Sequence, residues 1–312
     1  MIGLASQHGR PLQPGDRVRL LSPASPPSLD NVERCVRIFE SWGLHVEIGA
    51  HAFKRHGFLA GTDAERLDDL NAALRDPGVR AIFATTGGKG SYRIADRLDF
   101  DAAKRNRPVL VGFSDITALH LALWRWCRLP GLHGPLASWS ETIVDSASVA
   151  ALRDALMTLE TVVVAARNSE ETRVLTTSGR ATGPLVGGNL DTLAITAGWA
   201  LPNLHGAILL IEGANMGLGH IDRQLTMLRK SGLLDGLAGV AVGQFTGCSR
   251  HEAWGAEDVL REHLEPLGVP ILGGLPIGHG QSPRTVPIGC HADLVADVGL
   301  LTVAAIGMAH QL

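Results

Sequence analysis

Three residues of this 312-residue chain could perform acyl-transfer chemistry together: Ser114, Glu212 and His279. Ser114 stands between a short apolar run, Val109-Leu110-Val111-Gly112-Phe113, and a helix-patterned stretch that starts at Asp115. A serine on a tight strand-to-helix turn can be held with its hydroxyl exposed and its backbone strained, as a nucleophile requires. The backbone N–H of Asp115 would then sit at a helix N-terminus, where negative charge is favoured. Serine is also a favoured N-cap, so the local pattern fits a purely structural cap just as well. Glu212 follows the apolar run 207–211. A carboxylate at the end of a buried strand caps a helix, pairs with a cation, or orients a histidine as the acid of a triad does. His279 lies in Pro276-Ile277-Gly278-His279-Gly280, where flanking glycines let the backbone turn sharply and carry an imidazole into a site. A solvent-facing turn histidine is the plain alternative. His133, in Leu132-His133-Gly134-Pro135, is a rival base of similar look.

The segment Gly87-Gly88-Lys89-Gly90-Ser91 fails the spacing of both the P-loop and the dinucleotide fingerprint. It reads instead as a flexible loop able to offer a backbone N–H to an oxyanion. The 13 histidines include no His-Glu-x-x-His pair, so the spacing supports no metal site, and no cofactor is expected.

The elements that must position these residues follow from the hydrophobic period. Strands are expected at 16–22, 44–48, 79–85 and 109–113. Between and after them come helices at 31–42, with Val32, Cys35, Val36 and Phe39 on one face, at 62–74 behind a Thr62–Glu65 capping box, up to about 98, and at 115–128. Strands alternating with helices predict an α/β fold with a doubly wound parallel sheet, whose ligands sit beyond the carboxyl ends of the strands. Gly87-Gly88 and Ser114 both fall at such ends, so they are expected near each other although about 25 residues separate them. Further on, a helix is expected at 146–160. The stretch 161–179 opens apolar at 162–166 and then turns polar and irregular, as a crossing between domains would. Strand-like runs at 206–211 and 239–245, helices near 190–198, 220–230 and 258–267, the segment 270–277 that leads into Gly278-His279-Gly280, and a hairpin at 293–304 complete the chain. The division expected is an N-terminal domain 1–160, a linker 161–180 and a C-terminal domain 181–312.

Composition bounds the function. Hydrophobic residues are 45% and charged residues 19%, as in an ordinary globular chain. The balance of 28 basic against 31 acidic residues, a net of −3, argues against nucleic acid or an anionic membrane as partner. Cys35, Cys127, Cys248 and Cys290 are scattered without metal-ligand spacing and read as reduced thiols. Residues 1–19 lack the basic-then-apolar order of a signal peptide, and no apolar stretch approaches the ~20 residues that span a bilayer. A cytoplasmic location is expected.

Taken together and in order, several segments resemble one family. They are Leu12-Gln13-Pro14-Gly15-Asp16 with Ser22-Pro23-Ala24-Ser25, Thr86-Gly87-Gly88-Lys89-Gly90-Ser91, Gly112-Phe113-Ser114-Asp115-Ile116-Thr117-Ala118-Leu119, His133-Gly134-Pro135, Gly187-Gly188-Asn189-Leu190, Leu210-Ile211-Glu212, Ile221-Asp222-Arg223-Gln224-Leu225 and Leu275-Pro276-Ile277-Gly278-His279-Gly280. In register over about 270 residues, they resemble the LD-carboxypeptidases, the serine peptidases that include muramoyltetrapeptide carboxypeptidases and microcin C immunity peptidases. The resemblance implies a nucleophile at Ser114, a triad carboxylate at Glu212 and a base at His279. It implies oxyanion donors at the N–H groups of Gly88 and Asp115. It also implies an N-terminal domain like the class I glutamine amidotransferases, a C-terminal swivelling β/β/α domain, and a homodimer. The implied reaction is hydrolysis of an L,D-peptide bond, releasing terminal D-alanine from a murein tetrapeptide during wall recycling. The alternatives are cleavage of aminoacyl or peptidyl adenylate-like amides, or a ligand-binding homologue without catalysis. Many tetrapeptide-cleaving members carry Arg before the Gly-Gly pair and Tyr after it, where this chain has Thr86 and Lys89. Many continue the Glu segment with acidic residues, where this chain has Gly213-Ala214-Asn215-Met216-Gly217. Thr86, Lys89 and His133 are thus the candidate substrate-binding residues.

Overall fold

Strand–helix alternation builds a parallel sheet from the first part of the chain. The computed structural model describes residues 10–136 and 142–308. Its first elements are β1 (Arg17–Leu21), α1 (Leu29–Ser41), β2 (His45–Ile48), α2 (Asp63–Arg75), β3 (Val79–Ala84), α3 (Phe100–Asn106), β4 (Val109–Gly112), α4 (Thr117–Cys127) and β5 (Gly131–His133). The strands lie side by side as β5-β4-β3-β1-β2, all parallel. Successive residues of a strand point to opposite faces. Leu110 accordingly packs with Leu74, Ile82 and Leu119 on one side of β4, and Val111 with Phe39, Phe83 and Leu132 on the other. The sheet is covered on both faces, which is why its strands read as continuous apolar runs.

The second part contains α5 (Ser146–Met157), β6 (Val162–Ala165), β7 (Arg180–Asn189), α6 (Leu190–Thr196), β8 (Ile208–Ala214), α7 (Leu218–Lys230), β9 (Gly239–Thr246), α8 (Ala256–Leu264), β10 (Ile271–Leu272), β11 (Val286–Ile288), β12 (His291–Val295) and β13 (Leu300–Val303). Seven of these strands form a mixed sheet in the order β10-β9-β8-β7-β12-β13-β6. Its first four strands are parallel and the others antiparallel. The α/β class and the two-part architecture are as expected.

Several local expectations are corrected. Residues 161–180 are not a plain crossing: β6 pairs with β13, because its Val-Val-Val run can bury Val164 in the second core. The strand β11 crosses back and pairs antiparallel with β5, closing that edge of the first sheet. The helix expected up to about 98 is two 3₁₀ turns, Ser91–Arg93 and Ala95–Arg97. The helix α3 escaped the pattern because only Ala102 and Ala103 of its seven residues are buried, too few to make a stripe. Its start is set instead by Asp99, whose carboxylate accepts from the Ala102 N–H at 2.9 Å. Among the described residues no helix is long and apolar enough to cross a membrane.

Candidate active site

The turn after β4 has an unusual backbone. Ser114 has φ +60°, in the left-handed region that costs an L-residue about 1–2 kcal/mol. Ser114 is also not a helix cap. Phe113 holds the cap position of the 3₁₀ turn Ser114–Ile116, Ile116 that of α4, and neither helix start has a side-chain cap bond. The capping alternative is therefore set aside by the geometry. A strained conformation persists only where its surroundings over-determine it. Here the strand end is pressed against the turn: a Cβ on Gly112 would lie 2.9 Å from Ile116 Cγ2 and 3.1 Å from Ala84 Cβ.

The glycine loop after β3 meets the same serine. A Cβ on Gly87 would lie 2.8 Å from Ser114 Cβ and 3.1 Å from Ser114 Oγ. Gly87 is not in the left-handed region, so alanine there changes contact and not backbone preference. Gly87→Ala is expected to displace Ser114 and lower kcat about 100-fold, since a small misplacement of a reacting group has effects of that order. Steady-state kinetics would bear this out, with a melting temperature lowered by the same clash; wild-type kcat would count against the close approach.

The loop is tied down from three sides. The Ser25 N–H donates to Gly87 O, and the Lys89 N–H donates to Ser25 Oγ, both at 3.1 Å. Buried Arg66 donates to Pro23 O at 2.5 Å and Gly90 O at 2.8 Å while pairing with Asp63. The Ser91 N–H donates to Asp115 Oδ2 at 2.7 Å, and Ser91 Oγ donates to Asp115 O at 2.5 Å. The Asp115 side chain therefore joins the glycine loop to the serine turn. Burial pushes its carboxyl up to about 6, against the opposing hydrogen bonds from Ser91. Sequence reasoning gave Asp115 a role through its N–H alone; the side-chain role has no local signature.

Glu212 and His279 arrive from the second sheet. Glu212 lies in β8 where the pairing with β9 shifts register between Ile211 and Gly213, an irregularity of the kind that re-aims a side chain. It is fully buried, and its Oε2 lies 2.7 Å from His279 Nδ1. The glycines around His279 are required by contact. A Cβ on Gly278, at φ +134°, would lie 2.9 Å from Glu212 Oε2. A Cβ on Gly280 would lie 2.6 Å from Gln244 Nε2, whose amide oxygen accepts the Gly280 N–H at 2.8 Å. Burial works against an imidazolium, but the charge of Glu212 and its hydrogen bond outweigh it and hold the His279 pKa above the ordinary histidine value. Burial likewise works against the Glu212 carboxylate. His279, then His133 and the Asn189 side chain, outweigh it and keep the Glu212 pKa below its usual value.

The two halves meet at the serine. The Phe113 ring packs against His279, its centroid 4.7 Å away and its plane tilted by 40°. The Asn189 N–H at the end of β7 donates to Thr117 Oγ1 at 3.0 Å, on the first turn of α4. Gly188 permits this docking, since a Cβ there would lie 2.5 Å from Thr117 Oγ1. Ser114 and His279 then line one cavity of about 400 Å³, together with Gly88, Lys89, Asp115 and Asp191.

Two sequence candidates are placed elsewhere. His133 is fully buried and does not line the cavity. It stands edge-on to Phe113 at 6.2 Å, and burial lowers its pKa to about 4, so it is a neutral side chain behind Glu212 and not a base open to substrate. Thr86 is half-buried and also stands outside the cavity lining. Lys89 lines it. Sequence reasoning missed Ser25, Arg66, Asn189 and Asp191. Ser25 and Asn189 stand in segments that carry the family resemblance, and Asn189 also fits an N-cap, a role it fills toward Thr192, but nothing local connects either to the site.

Comparison with known proteins places this geometry in context. Residues 18–134 match the LD-carboxypeptidase N-terminal domain, and residues 182–294 match the LD-carboxypeptidase C-terminal domain. A putative carboxypeptidase of Streptomyces coelicolor is 38% identical over 94% of this chain and 94% of its own length. The murein tetrapeptide carboxypeptidase of Pseudomonas aeruginosa is 34% identical over 89% of this chain and 92% of its own. Among solved structures, the microcin C7 self-immunity protein MccF in complex with aspartyl sulfamoyl adenosine superposes with a TM-score of 0.85. It is 23% identical and covers 95% of this chain and 97% of that one, a likeness of fold.

Proposed function

This chain belongs to the LD-carboxypeptidase family, and on that premise we propose that it is a serine carboxypeptidase with Ser114 as nucleophile, His279 as base and Glu212 as the carboxylate that orients the base. One observation carries the reading: a serine in a strained left-handed turn shares a cavity with a histidine whose Nδ1 lies 2.7 Å from a fully buried carboxylate. The bond to Glu212 keeps the His279 proton on Nδ1 and leaves Nε2 to accept the Ser114 proton as Oγ attacks the carbonyl. The N–H groups of Gly88 and Asp115 would receive the oxyanion; one such donor is typically worth about 3 kcal/mol of barrier. His279 then protonates the leaving amine, and water, activated by the same imidazole, hydrolyses the acyl-enzyme.

The substrate proposed is an L,D-peptide bond, with terminal D-alanine released from a murein tetrapeptide. The 34% identity to a named murein tetrapeptide carboxypeptidase supports this choice. The same proposal places the enzyme in the cytoplasm as a homodimer. Mass spectrometry of the products from an L,D-tetrapeptide, a D,D-pentapeptide and an aminoacyl sulfamoyl adenosine tests it. Release of D-alanine from the tetrapeptide alone is expected; turnover of only the nucleotide-like amide would replace the substrate, and turnover of none would remove the substrate claim.

A further inference from the structure

A carboxypeptidase has to distinguish the end of a peptide from its interior, and the general difference is a free carboxylate one residue beyond the scissile carbonyl. A cation that reads this group must stand within a side chain's length of the oxyanion donors. Lys89 meets that requirement by position, because it follows Gly88 directly and its N–H is anchored on Ser25 Oγ. Its side chain lines the cavity that holds Ser114 and His279, and among the described residues lining that cavity it is the only lysine or arginine.

Its ammonium is held but not used up. Nζ lies 3.1 Å from Asp191 Oδ2, which engages one of its three donors. Asp191 is fixed from the other side by Gln224 Nε2, 2.6 Å from Oδ1, and by His220 Nε2, 3.3 Å from the same oxygen. The Lys89 side chain remains 59% exposed, and an ion pair this open is worth little, so an incoming carboxylate can share the ammonium.

We infer that Lys89, oriented by Asp191, receives the free terminal carboxylate of the substrate and so makes the enzyme an exopeptidase; this rests on the carboxypeptidase reading above. The contact is a charge-assisted hydrogen bond to a group present in the acid and absent from the amide. It acts on specificity, so the substitution alters the choice of substrate and leaves the reactivity of Ser114 intact.

The test uses one L,D-tetrapeptide in two forms, ending in D-alanine or in D-alanine carboxamide. Wild type is expected to favour the acid by about 10-fold or more in kcat/KM, the size of a hydrogen bond to a charged group. Lys89→Gln is expected to lose that preference through a raised KM for the acid, with the amide little changed, and Lys89→Arg is expected to keep it. Equal fluorophosphonate labelling of all three proteins confirms an intact serine. An acid-to-amide ratio unchanged in Lys89→Gln overturns the inference and leaves the carboxypeptidase reading standing. Failure of wild type on both forms removes that reading, and the inference with it.

Discussion

Replacing Ser114 by alanine is expected to abolish fluorophosphonate labelling and to lower kcat about 10⁶-fold, the effect seen when a serine peptidase loses its nucleophile. Stability adds a second, independent readout. At φ +60° the alanine variant keeps the strain of the wild type and should match its thermal stability closely. Ser114→Gly should be more stable than wild type by roughly 0.5–1 kcal/mol, because glycine adopts the left-handed region without a Cβ clash. A capping serine predicts the opposite sign, with both variants below wild type and alanine the lower. Thermal melts of the three proteins therefore separate a strained nucleophile turn from a cap without reference to catalysis. Undiminished labelling of Ser114→Ala would sink the assignment outright.

Glu212→Gln carries the next largest effect. In a triad, the corresponding amide lowers kcat about 10⁴-fold by disfavouring the tautomer that the base needs. Here the substitution should also move the pH profile. The proposed base works only when unprotonated, and Glu212 raises the His279 pKa, so the acid limb of kcat/KM in the wild type is expected above the ordinary histidine value of about 6.5. Without the carboxylate charge only burial remains, which lowers an imidazole pKa, so the limb of the residual activity shifts to lower pH. Asp115 titrates nearby, pushed up to about 6 by burial. The limb is assigned by Asp115→Asn, in which it should stay in place. A limb that does not move in Glu212→Gln would show that some other group governs the protonation step.

The three site residues were legible one by one, each beside a bland alternative. Ser114 could cap, Glu212 could pair with a cation, and His279 could face solvent. From local sequence their glycine neighbours mark backbone freedom. In the structure they are mainly marks of contact, with Gly87 against Ser114, Gly278 against Glu212 and Gly280 against Gln244. His133 shows the limit of such reading. Its segment looks like that of His279, with a glycine and a proline beside it, yet it ends fully buried because β5 is enclosed between β4 and β11. The strand β11 was not legible, since three residues carry too little period to register and their partner lies more than 150 positions earlier.

Local events are written in the chain: the alternation of strands and helices, the capping box at Thr62, the glycine loop after β3 and a serine two residues past β4. These depend on periodicity and turn chemistry within a few residues, which a single chain carries openly. Long-range packing is what makes Ser114 strained and not capping, brings Glu212 and His279 together across 67 positions, and turns Lys89 rather than Thr86 to the cavity. Those outcomes depend on how two sheets dock through Thr117, Gly188 and Asn189. That docking sets burial, and burial with charge sets what each titratable group can do.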